Sequence, residues 1–318
     1  MDLSATFHAL ADMSRLRILV LVAAMELTVS EISQVLGQSQ PRVSRHLRIL
    51  DEAGLVERRK EGSWTFVEAA GGPASGPIRQ LIAEAHSESD GEIFTGDANR
   101  LALVRAERAE AASIWFDSRA ERWDRLRALH APEKKIEQAV AAALGEAPLG
   151  TLVDIGTGTA RMIELFAADA KEVIGIDRSP DMLRLARVRL EEAGVEGVQL
   201  RQGDMTALPL KDACADTVIL HLVLHYAPSP ALAISEAARL LRPGGRLLVV
   251  DFAAHDQDDL RRVYGHQRLG FADERIEGWC GDAGLAIDET TRIKGDPLTI
   301  SLWTARAPDQ NKRTKKAA

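Results

Sequence analysis

The sequence predicts an α/β protein of two domains, an N-terminal helix-turn-helix domain with a β-hairpin and a C-terminal domain built on a mainly parallel sheet. Three observations support this prediction. Helical periodicity around a Gly-containing turn dominates the first sixty or so residues. Further along, an apolar run ends in Asp154 and leads into a Gly-x-Gly turn at Gly156. Beyond that turn, apolar runs alternate with helical patterns, which is typical of a parallel sheet.

Length, charge and cysteine content narrow the possibilities. The 318 residues suit roughly two domains of about 150 residues each. The net charge of −7 argues against general coating of nucleic acid, but a local basic face is still compatible with sequence-specific binding. The chain has no apolar run of about 18 residues and no basic-then-apolar leader, so we expect a cytoplasmic protein without a membrane partner. Cys214 and Cys280 are too far apart for a disulfide framework or a C-x-x-C metal site.

The first domain is predicted over residues 1–95 and begins with helices. Two packed helices are followed by a third, for which Ser30 is a plausible N-cap and Gly37 the end. Pro41 then opens a helix that runs to Glu52, because proline is favoured at a first helical position. The two helices around the Gly37 turn match a helix-turn-helix. The buried stripe of the second one is predicted to be Val43, Leu47 and Leu50.

Polar and basic side chains lie off this stripe. Between Gln38 and Arg48 the chain has three arginines and no acid, within an otherwise acidic domain. Two alternating runs around Gly62 then predict a β-hairpin with a charged turn. These side-chain types suit base edges and phosphates, although a solvated helix face is the alternative for any single arginine. The predicted DNA contacts are Ser39, Gln40, Arg42, Ser44, Arg45, His46 and Arg48 on the helix, with Arg58, Arg59 and Lys60 in the hairpin.

Over about residues 3–90 the chain resembles the ArsR-type winged-helix repressors, chiefly through the segment SQPRVSRHLRILDEAGLVERRKEG. The resemblance implies a homodimer that reads a palindromic operator in double-stranded DNA. It also implies dimer contacts from the first helix and from the helix after the wing, expected at residues 78–87. Many members carry a Cys-x-Cys metal site where this chain has Thr28-Val29-Ser30, so thiolate sensing of arsenite or zinc is not expected there.

A helical linker is predicted between the domains, over residues 96–130. The segment is rich in Ala, Arg and Glu and predicts one or two long helices after the Gly- and Pro-rich stretch 69–77. These helices are either a spacer or a cover over the ligand mouth of the second domain. The second domain is predicted over residues 131–307, and residues 308–318 are expected to form a disordered basic tail.

The Gly-x-Gly turn predicts a nucleoside pocket. Asp177 closes the next apolar run, about 20 positions after Gly156, which is the spacing of an acid that binds ribose hydroxyls. Arg161 occupies the place of the third glycine of a dinucleotide fingerprint, and no phosphate-loop lysine follows. We therefore expect a ligand without phosphates. Two final runs, residues 285–293 and 298–305, have no helix between them and predict an antiparallel hairpin at the sheet edge.

This half resembles the Rossmann-like class I S-adenosylmethionine-dependent methyltransferases over nearly its whole length. The matching segments are LVDIGTGTAR, VIGIDRSPDML, GDM before LPL, and RLLRPGGRLLVVDF. The resemblance implies S-adenosylmethionine or S-adenosylhomocysteine as the ligand, although Ala160 stands where relatives often have glycine. The implied ligand-binding residues are Asp154, Gly156 and Gly158 at the methionine part, Asp177 at the ribose, Asp204 and Met205 at the adenine, and Arg178 and His221 nearby.

Catalysis is not settled by any motif, because methyl transfer from a sulfonium is a direct displacement that requires alignment and only sometimes a base. His221, His225 and His255 follow the fourth and fifth strands and are the candidate general bases, with His266 nearby in the sequence as a further one. The first alternative is that these histidines have structural roles. The second is that His221, His225 and His255 form a metal site, but the sequence itself predicts no metal. Arsenite methylation would need a cysteine cluster, which two isolated cysteines do not form.

Together the two halves predict a DNA-binding transcriptional regulator, in the first instance a repressor. Its methyltransferase-like domain would bind S-adenosylmethionine or S-adenosylhomocysteine as effector, provided that the ligand has unequal affinity for two states of the protein. Resemblance to ArsR–methyltransferase fusions implies control of methionine-cycle genes. Two alternatives stay open: an active small-molecule methyltransferase with an autoregulatory winged helix, and a methyltransferase that the winged helix recruits to protein or nucleic acid.

Overall fold

The computed structural model describes residues 3–61, 64–70, 91–117, 131–257, 259–260 and 266–309. Contacts divide the chain into two units, Met1–Ala111 and Ala112–Ala318. None of the helices in the described ranges is long and apolar enough to span a bilayer. The helix expected at residues 78–87, most of the linker beyond residue 117 and nearly all of the C-terminal tail lie outside the described residues.

The first unit is a helix-turn-helix with a small antiparallel sheet. Its elements in chain order are α1 (Leu3–Leu10), α2 (Met13–Ala24), β1 (Leu27–Thr28), α3 (Val29–Leu36), α4 (Gln40–Glu52), β2 (Val56–Glu61), β3 (Trp64–Ala69) and α5 (Gly91–Asp117). The strands pair in the order β1-β3-β2, so the predicted hairpin is confirmed. The predicted stripe of α4 is confirmed as well, since Val43, Leu47 and Leu50 are all fully buried.

Thr28, rather than Ser30, caps helix α3. The Thr28 hydroxyl oxygen accepts a hydrogen bond from the backbone N–H of Glu31 at 3.2 Å, and the Glu31 carboxylate accepts one from the backbone N–H of Thr28 at 2.7 Å. This reciprocal capping box follows from the Thr-x-x-Glu spacing. At the other end, Gly37 adopts φ +64°, a left-handed conformation that glycine takes without steric cost, and the chain turns toward α4.

The first part of α5 belongs to the first unit. Leu101 and Val104 lie in the same buried cluster as the apolar faces of α2, α3 and α4. Arg17 donates two hydrogen bonds to Asp97, at 2.6 and 2.7 Å, which adds a bidentate ion pair to this contact. The unit therefore extends to Ala111, whereas the sequence placed its end at residue 95. Helical periodicity shows that a face is apolar, but it does not show which core that face joins.

The second unit is built on a seven-stranded sheet. Its strands are β4 (Gly150–Ile155), β5 (Ala170–Asp177), β6 (Val198–Gln202), β7 (Ala215–His221), β8 (Leu241–Phe252), β9 (Ala286–Ile293) and β10 (Ile300–Arg306). They pair in the order β6-β5-β4-β7-β8-β10-β9, and the first five are parallel. β10 is antiparallel to both β8 and β9, which confirms the hairpin predicted at the edge.

Helices cover both faces of this sheet. They are α6 (Glu133–Leu144), α7 (Arg161–Phe166), α8 (Pro180–Glu192), α9 (Pro230–Leu240) and α10 (Asp273–Asp282). Neighbouring strand residues enter opposite cores, as Leu152 packs with α6 to α8 and Val153 packs with α9 and α10. Strand order reverses beside β4, whose neighbours are β5 and β7. Open parallel sheets bind ligands at such a reversal, beyond the carboxyl ends of the strands.

Candidate functional site

Helix α4 carries an exposed polar face. Ser39, Gln40 and the three arginines predicted on this helix are exposed, and Ser44 is half-buried. In β2 the side chains of Arg58 and Lys60 are exposed, while that of Arg59 lies outside the described part of the chain. The face thus combines guanidinium groups, which bind guanine edges and phosphates, with hydroxyl and amide groups. The structure brings these candidates together on one side of α4, namely Ser39, Gln40, Arg42, Ser44, Arg45 and Arg48.

His46 is a correction to the predicted set, because its side chain points into the unit. It is only 9 % exposed, and its Nδ1 lies 3.8 Å from Asp12 Oδ1. Burial lowers the pKa of His46, and the charges of nearby arginines lower it further, whereas the Asp12 charge opposes this shift. Position 46 lies three residues after Val43, so it falls on the buried stripe of the helix. That spacing was available in the sequence and argues against a DNA contact.

Asp154 is buried at the carboxyl end of β4. The residue is 1 % exposed, and its Oδ2 accepts a hydrogen bond from the Thr157 hydroxyl at 2.6 Å. Its Oδ1 has no hydrogen-bond partner among the described residues. Burial raises the pKa of Asp154 to about 7. The hydrogen bond from Thr157 opposes this shift, and the negative charge of Asp177 adds to it. A buried acceptor of this kind calls for a donor from a ligand, and an ammonium group fits it.

Asp177 ends β5 and ties the Gly-x-Gly turn in place. One carboxylate oxygen accepts the backbone N–H of Gly158 at 2.9 Å, and the other accepts that of Ser179 at 2.8 Å. Burial raises the pKa of Asp177, although these two backbone hydrogen bonds oppose the shift. Each carboxylate oxygen has a second lone pair, so Asp177 can still accept the two hydroxyls of a ribose.

Glycine is required at position 156 for two separate reasons. Its φ is +71°, and a Cβ built there would lie 2.2 Å from Val223 Cγ2. Gly158 has φ +54° but open space around it. Ala160 also takes a left-handed conformation, with φ +62°, at the position where the methyltransferase pattern has glycine. Val223 therefore places the loop after β7 directly against the loop after β4.

The remaining predicted ligand contacts follow β5 and β6. Asp204 is exposed, and its Oδ1 accepts hydrogen bonds from the Thr206 N–H at 2.8 Å and hydroxyl at 2.6 Å, which lower its pKa. Met205 is half-buried against the core. The Arg178 charge favours the ionised forms of both Asp177 and Asp204. The carboxyl edge of β4, β5 and β6 therefore gathers the acids and glycines that the sequence proposed as one pocket.

The candidate bases lie at the ends of the next two strands. His221 ends β7, His255 follows β8, and His225 sits in a 3₁₀ turn, Leu224–Tyr226. His225 Nδ1 lies 2.8 Å from Asp251 Oδ1, and both residues are buried. Asp251 was missed by the sequence reasoning, although it follows a buried apolar run just as Asp154 and Asp177 do. Within the described ranges, no group of three His, Cys, Asp or Glu residues is arranged to hold a metal ion, including the three histidines considered above.

Comparison with known proteins matches the two units separately. The family model described as bacterial regulatory protein, arsR family, matches residues 12–58, and the methyltransferase domain model matches residues 153–249. Phosphatidylethanolamine N-methyltransferase of Cereibacter sphaeroides is 34% identical over 161 residues, covering 50% of this chain and 75% of that protein. Demethylmenaquinone methyltransferase of Thermus thermophilus is 33% identical over 171 residues, covering 51% and 77%.

A solved structure adds a comparison of fold. In the Haloferax volcanii complex between the Trm112 methyltransferase activator and a methyltransferase, one chain matches with a TM-score of 0.50 and 21% identity. The match covers 61% of this chain and 97% of that one. At this identity the likeness concerns the fold alone.

Proposed function

The chain belongs to the class I S-adenosylmethionine-dependent methyltransferase family and carries an arsR-family helix-turn-helix domain, and we propose that it is a DNA-binding transcriptional regulator. Its methyltransferase domain binds S-adenosylmethionine or S-adenosylhomocysteine. In the proposed function this ligand is the effector that changes operator affinity, in the first instance as part of a repressor. Methionine-cycle genes are the proposed targets, because their products make and consume such ligands.

One observation carries the proposal: a single chain holds both an exposed basic face on α4 and, at the Gly-x-Gly turn, a buried carboxylate oxygen that has no partner among the described residues. The face supplies Arg42, Arg45 and Arg48 for DNA. In the pocket, Asp154 Oδ1 fits the ammonium group of the methionine part, and Asp177 fits the ribose. Gly158 has open space around it and Gly156 shapes the turn, so both are proposed to border the methionine part of the ligand, while Arg178, Asp204, Met205 and His221 are the other proposed contacts.

We propose that the protein acts as a homodimer on a palindromic operator. Apolar side chains are exposed on the first unit, namely Phe7 at 67 % and Leu103 at 61 %. A monomer gains nothing from presenting large apolar groups to water on α1 and α5, and a second copy would bury them. Two recognition helices related by a two-fold axis would then read two half-sites about one helical turn apart.

The test is operator binding by the full chain, measured with and without each adenosyl ligand. Promoter DNA of its own gene is the probe, and scrambled DNA of equal length is the reference. Either ligand should change the affinity for promoter DNA while leaving weak binding to scrambled DNA unaltered. Promoter affinity that is indifferent to both ligands would exclude the effector role.

Two substitutions should separate the sites. Asp177→Ala should abolish ligand binding in calorimetry and leave ligand-free promoter binding intact, with Asp181→Ala on the surface of α8 as its matched control. Arg45→Ala should weaken promoter binding by about 1–3 kcal/mol, or roughly 5- to 150-fold, and leave ligand affinity unchanged. Arg184→Ala, an exposed arginine of the second unit, is its control. Normal ligand affinity in Asp177→Ala would contradict the ribose assignment.

An active small-molecule methyltransferase with an autoregulatory winged helix is the second candidate function. The observation in its favour is the buried pair formed by His225, in the turn after β7, and Asp251, near the end of β8. A receptor that only binds its ligand has no evident need for such a pair.

A further inference from the structure

A connected set of polar side chains runs from helix α6 to the Gly-x-Gly turn of the second unit. Arg161 donates one hydrogen bond to Glu137 of α6 at 2.6 Å and another to Glu164 at 2.9 Å. Arg189 of α8 donates to the other oxygen of the Glu164 carboxylate. The same guanidinium group donates to the Thr159 hydroxyl at 3.2 Å. Each contact shares a residue with the next, so these five side chains form one ion-pair network.

The ion-pair network ends on the turn that is proposed to hold the ligand. Thr159 follows Gly158 directly and precedes Ala160, which has the left-handed conformation. Asp177 accepts the backbone N–H of Gly158 at 2.9 Å, and Arg189 holds the next side chain along the turn. The turn is thus fixed by β5 and by α8 at two successive residues. A shift of Arg189 would therefore change the position of the backbone beside Gly158.

Helix α6 packs on this turn as well as pairing with it. The buried side chains of α6, Ile136, Val140 and Leu144, lie in the same core cluster as Ala160 and Ile163. In chain order α6 is also the first described element after the predicted linker. A force transmitted along the chain from the preceding residues would therefore reach the second unit at α6.

The charges of the ion-pair network depend on one another because they are partly buried. The Glu137 and Glu164 side chains are only 18 % and 23 % exposed. The hydrogen bond to Glu137 raises the pKa of Arg161, although burial opposes this shift. Burial would raise the pKa of Glu164, but hydrogen bonds from Arg189 and Arg161 lower it. Since the two arginines share one carboxylate, displacement of either changes the interactions of the other.

We propose that α6 regulates the ligand affinity of the Gly-x-Gly turn through the ion-pair network, with Arg161 and Arg189 as positioning residues. This inference rests on the adenosyl pocket of the proposed function and names the element that controls it. When α6 withdraws Glu137, the two arginines rearrange around Glu164, and the Thr159 hydroxyl loses its donor. Thermodynamic linkage makes the effect reciprocal, so that bound ligand also holds α6 in place.

The first measurement is a double-mutant cycle between Glu137 and Thr159, read as the affinity of the full chain for S-adenosylhomocysteine in calorimetry. Three other side chains separate these two residues in the network. Glu137→Gln and Thr159→Val should each weaken binding by roughly 3- to 10-fold, the worth of one hydrogen bond. The double variant should bind no more weakly than the weaker single variant, because both changes interrupt one path. Losses that multiply would overturn the proposal.

Matched variants exclude the simpler explanations. Glu146→Gln removes an exposed acid just beyond the end of α6 and should leave affinity unchanged, alone or combined with Thr159→Val. Thr159→Ser keeps the hydroxyl and should bind normally. Arg189→Met should match Thr159→Val, whereas Arg184→Met, at an exposed arginine of α8, should have no effect. Weak binding by Thr159→Val with normal binding by Arg189→Met would show that the hydroxyl contacts the ligand directly, which contradicts the network.

The second measurement is hydrogen exchange of the unaltered full chain with and without S-adenosylhomocysteine. By reciprocity, the ligand should slow exchange in α6 by roughly 3- to 10-fold more than in α10, which belongs to the other core cluster. Arg161→Met should remove this excess. Equal slowing in α6 and α10 of the unaltered protein would overturn the proposal, and this comparison does not depend on whether any variant folds.

Calorimetry on the unaltered protein separates failure of the network from failure of the proposed function. Absent binding of S-adenosylhomocysteine would contradict the adenosyl pocket itself, and the regulation with it. Intact binding, combined with losses that multiply or with equal slowing of exchange, would contradict the network alone.

Discussion

Replacement of Gly156 by alanine should damage the second unit through one identifiable contact. The added Cβ would lie 2.2 Å from Val223 Cγ2, in a backbone conformation with φ +71°. The left-handed conformation costs alanine about 1–2 kcal/mol, and overpacking of a close contact typically adds about 1–3 kcal/mol. Gly156→Ala should therefore lower the free energy of unfolding by about 2–5 kcal/mol.

Gly158→Ala is the matched control for this prediction. Gly158 has a comparable φ of +54°, but nothing lies within 4 Å of an added Cβ. This variant should show only the strain of about 1–2 kcal/mol. The effect of alanine on the entropy of the unfolded chain is common to both variants, so it cancels in the comparison.

The assay is calorimetric unfolding of the full chain. The relevant unfolding transition is the one whose midpoint temperature rises when S-adenosylhomocysteine is added, because a ligand stabilises the unit that binds it. A third substitution completes the design: in a Val223→Ala background, Gly156→Ala should cost no more than Gly158→Ala. The coupling between positions 156 and 223 should therefore be about 1–3 kcal/mol. Equal costs for the two glycine variants, or an unchanged cost after Val223→Ala, would refute the steric argument.

Other predictions concern charge and packing. Asp154 should release a proton when the adenosyl ligand binds, because burial raises the pKa of Asp154 to about 7 and the ammonium group of the ligand favours the carboxylate. Calorimetry near pH 7 in two buffers of different ionisation enthalpy should show this proton release. The Asp154→Asn variant should not show it. Arg108→Ala should destabilise the first unit by about 2–4 kcal/mol, because it leaves the Glu31 carboxylate without the cation that now donates two hydrogen bonds at 2.7 Å. Burial alone would raise the pKa of Glu31, but its hydrogen bonds to Arg108 and Thr28 hold that pKa below the ordinary range. Urea unfolding should therefore show that the stability difference between the unaltered protein and Arg108→Ala is full at neutral pH and shrinks as pH falls through the lowered pKa of Glu31. Leu47→Ala should cost about 2–5 kcal/mol and weaken promoter binding, because Leu47 is fully buried in the core beneath α4; promoter binding at the unaltered affinity would contradict the assignment of α4 to DNA.

Local patterns were sufficient for most of the architecture. The apolar stripe of α4, the hairpin after it and the alternation of strands and helices depend on periodicity and on turn residues within a few positions. The clustering of the acids was also predictable, because a parallel strand that ends in an acid places that acid at a common edge. Asp154, Gly156 and Asp177 were therefore proposed together and are found together at the ends of β4 and β5.

Two local signals in the sequence contradict the predicted cap of α3 and one predicted DNA contact. Thr28 and Glu31 form a capping box whose spacing is plain in the sequence, although Ser30 was preferred as the cap. His46 lies three residues after Val43, and that spacing places it on the buried side of α4. In both cases the position of the residue on the helix, rather than its type, decides what the side chain contacts.

What the sequence determined by itself was each element and the face that each one buries, since those depend on neighbours along the chain. What only the tertiary structure decided was which surfaces meet. The start of α5 packs into the helix-turn-helix core through Leu101 and Val104, although the sequence assigned it to a linker. His225 meets Asp251 from the next strand, which distinguishes it from the other histidines near these strand ends. Such pairings join residues far apart in the chain, so strand order and packing decide them, and no local period encodes them.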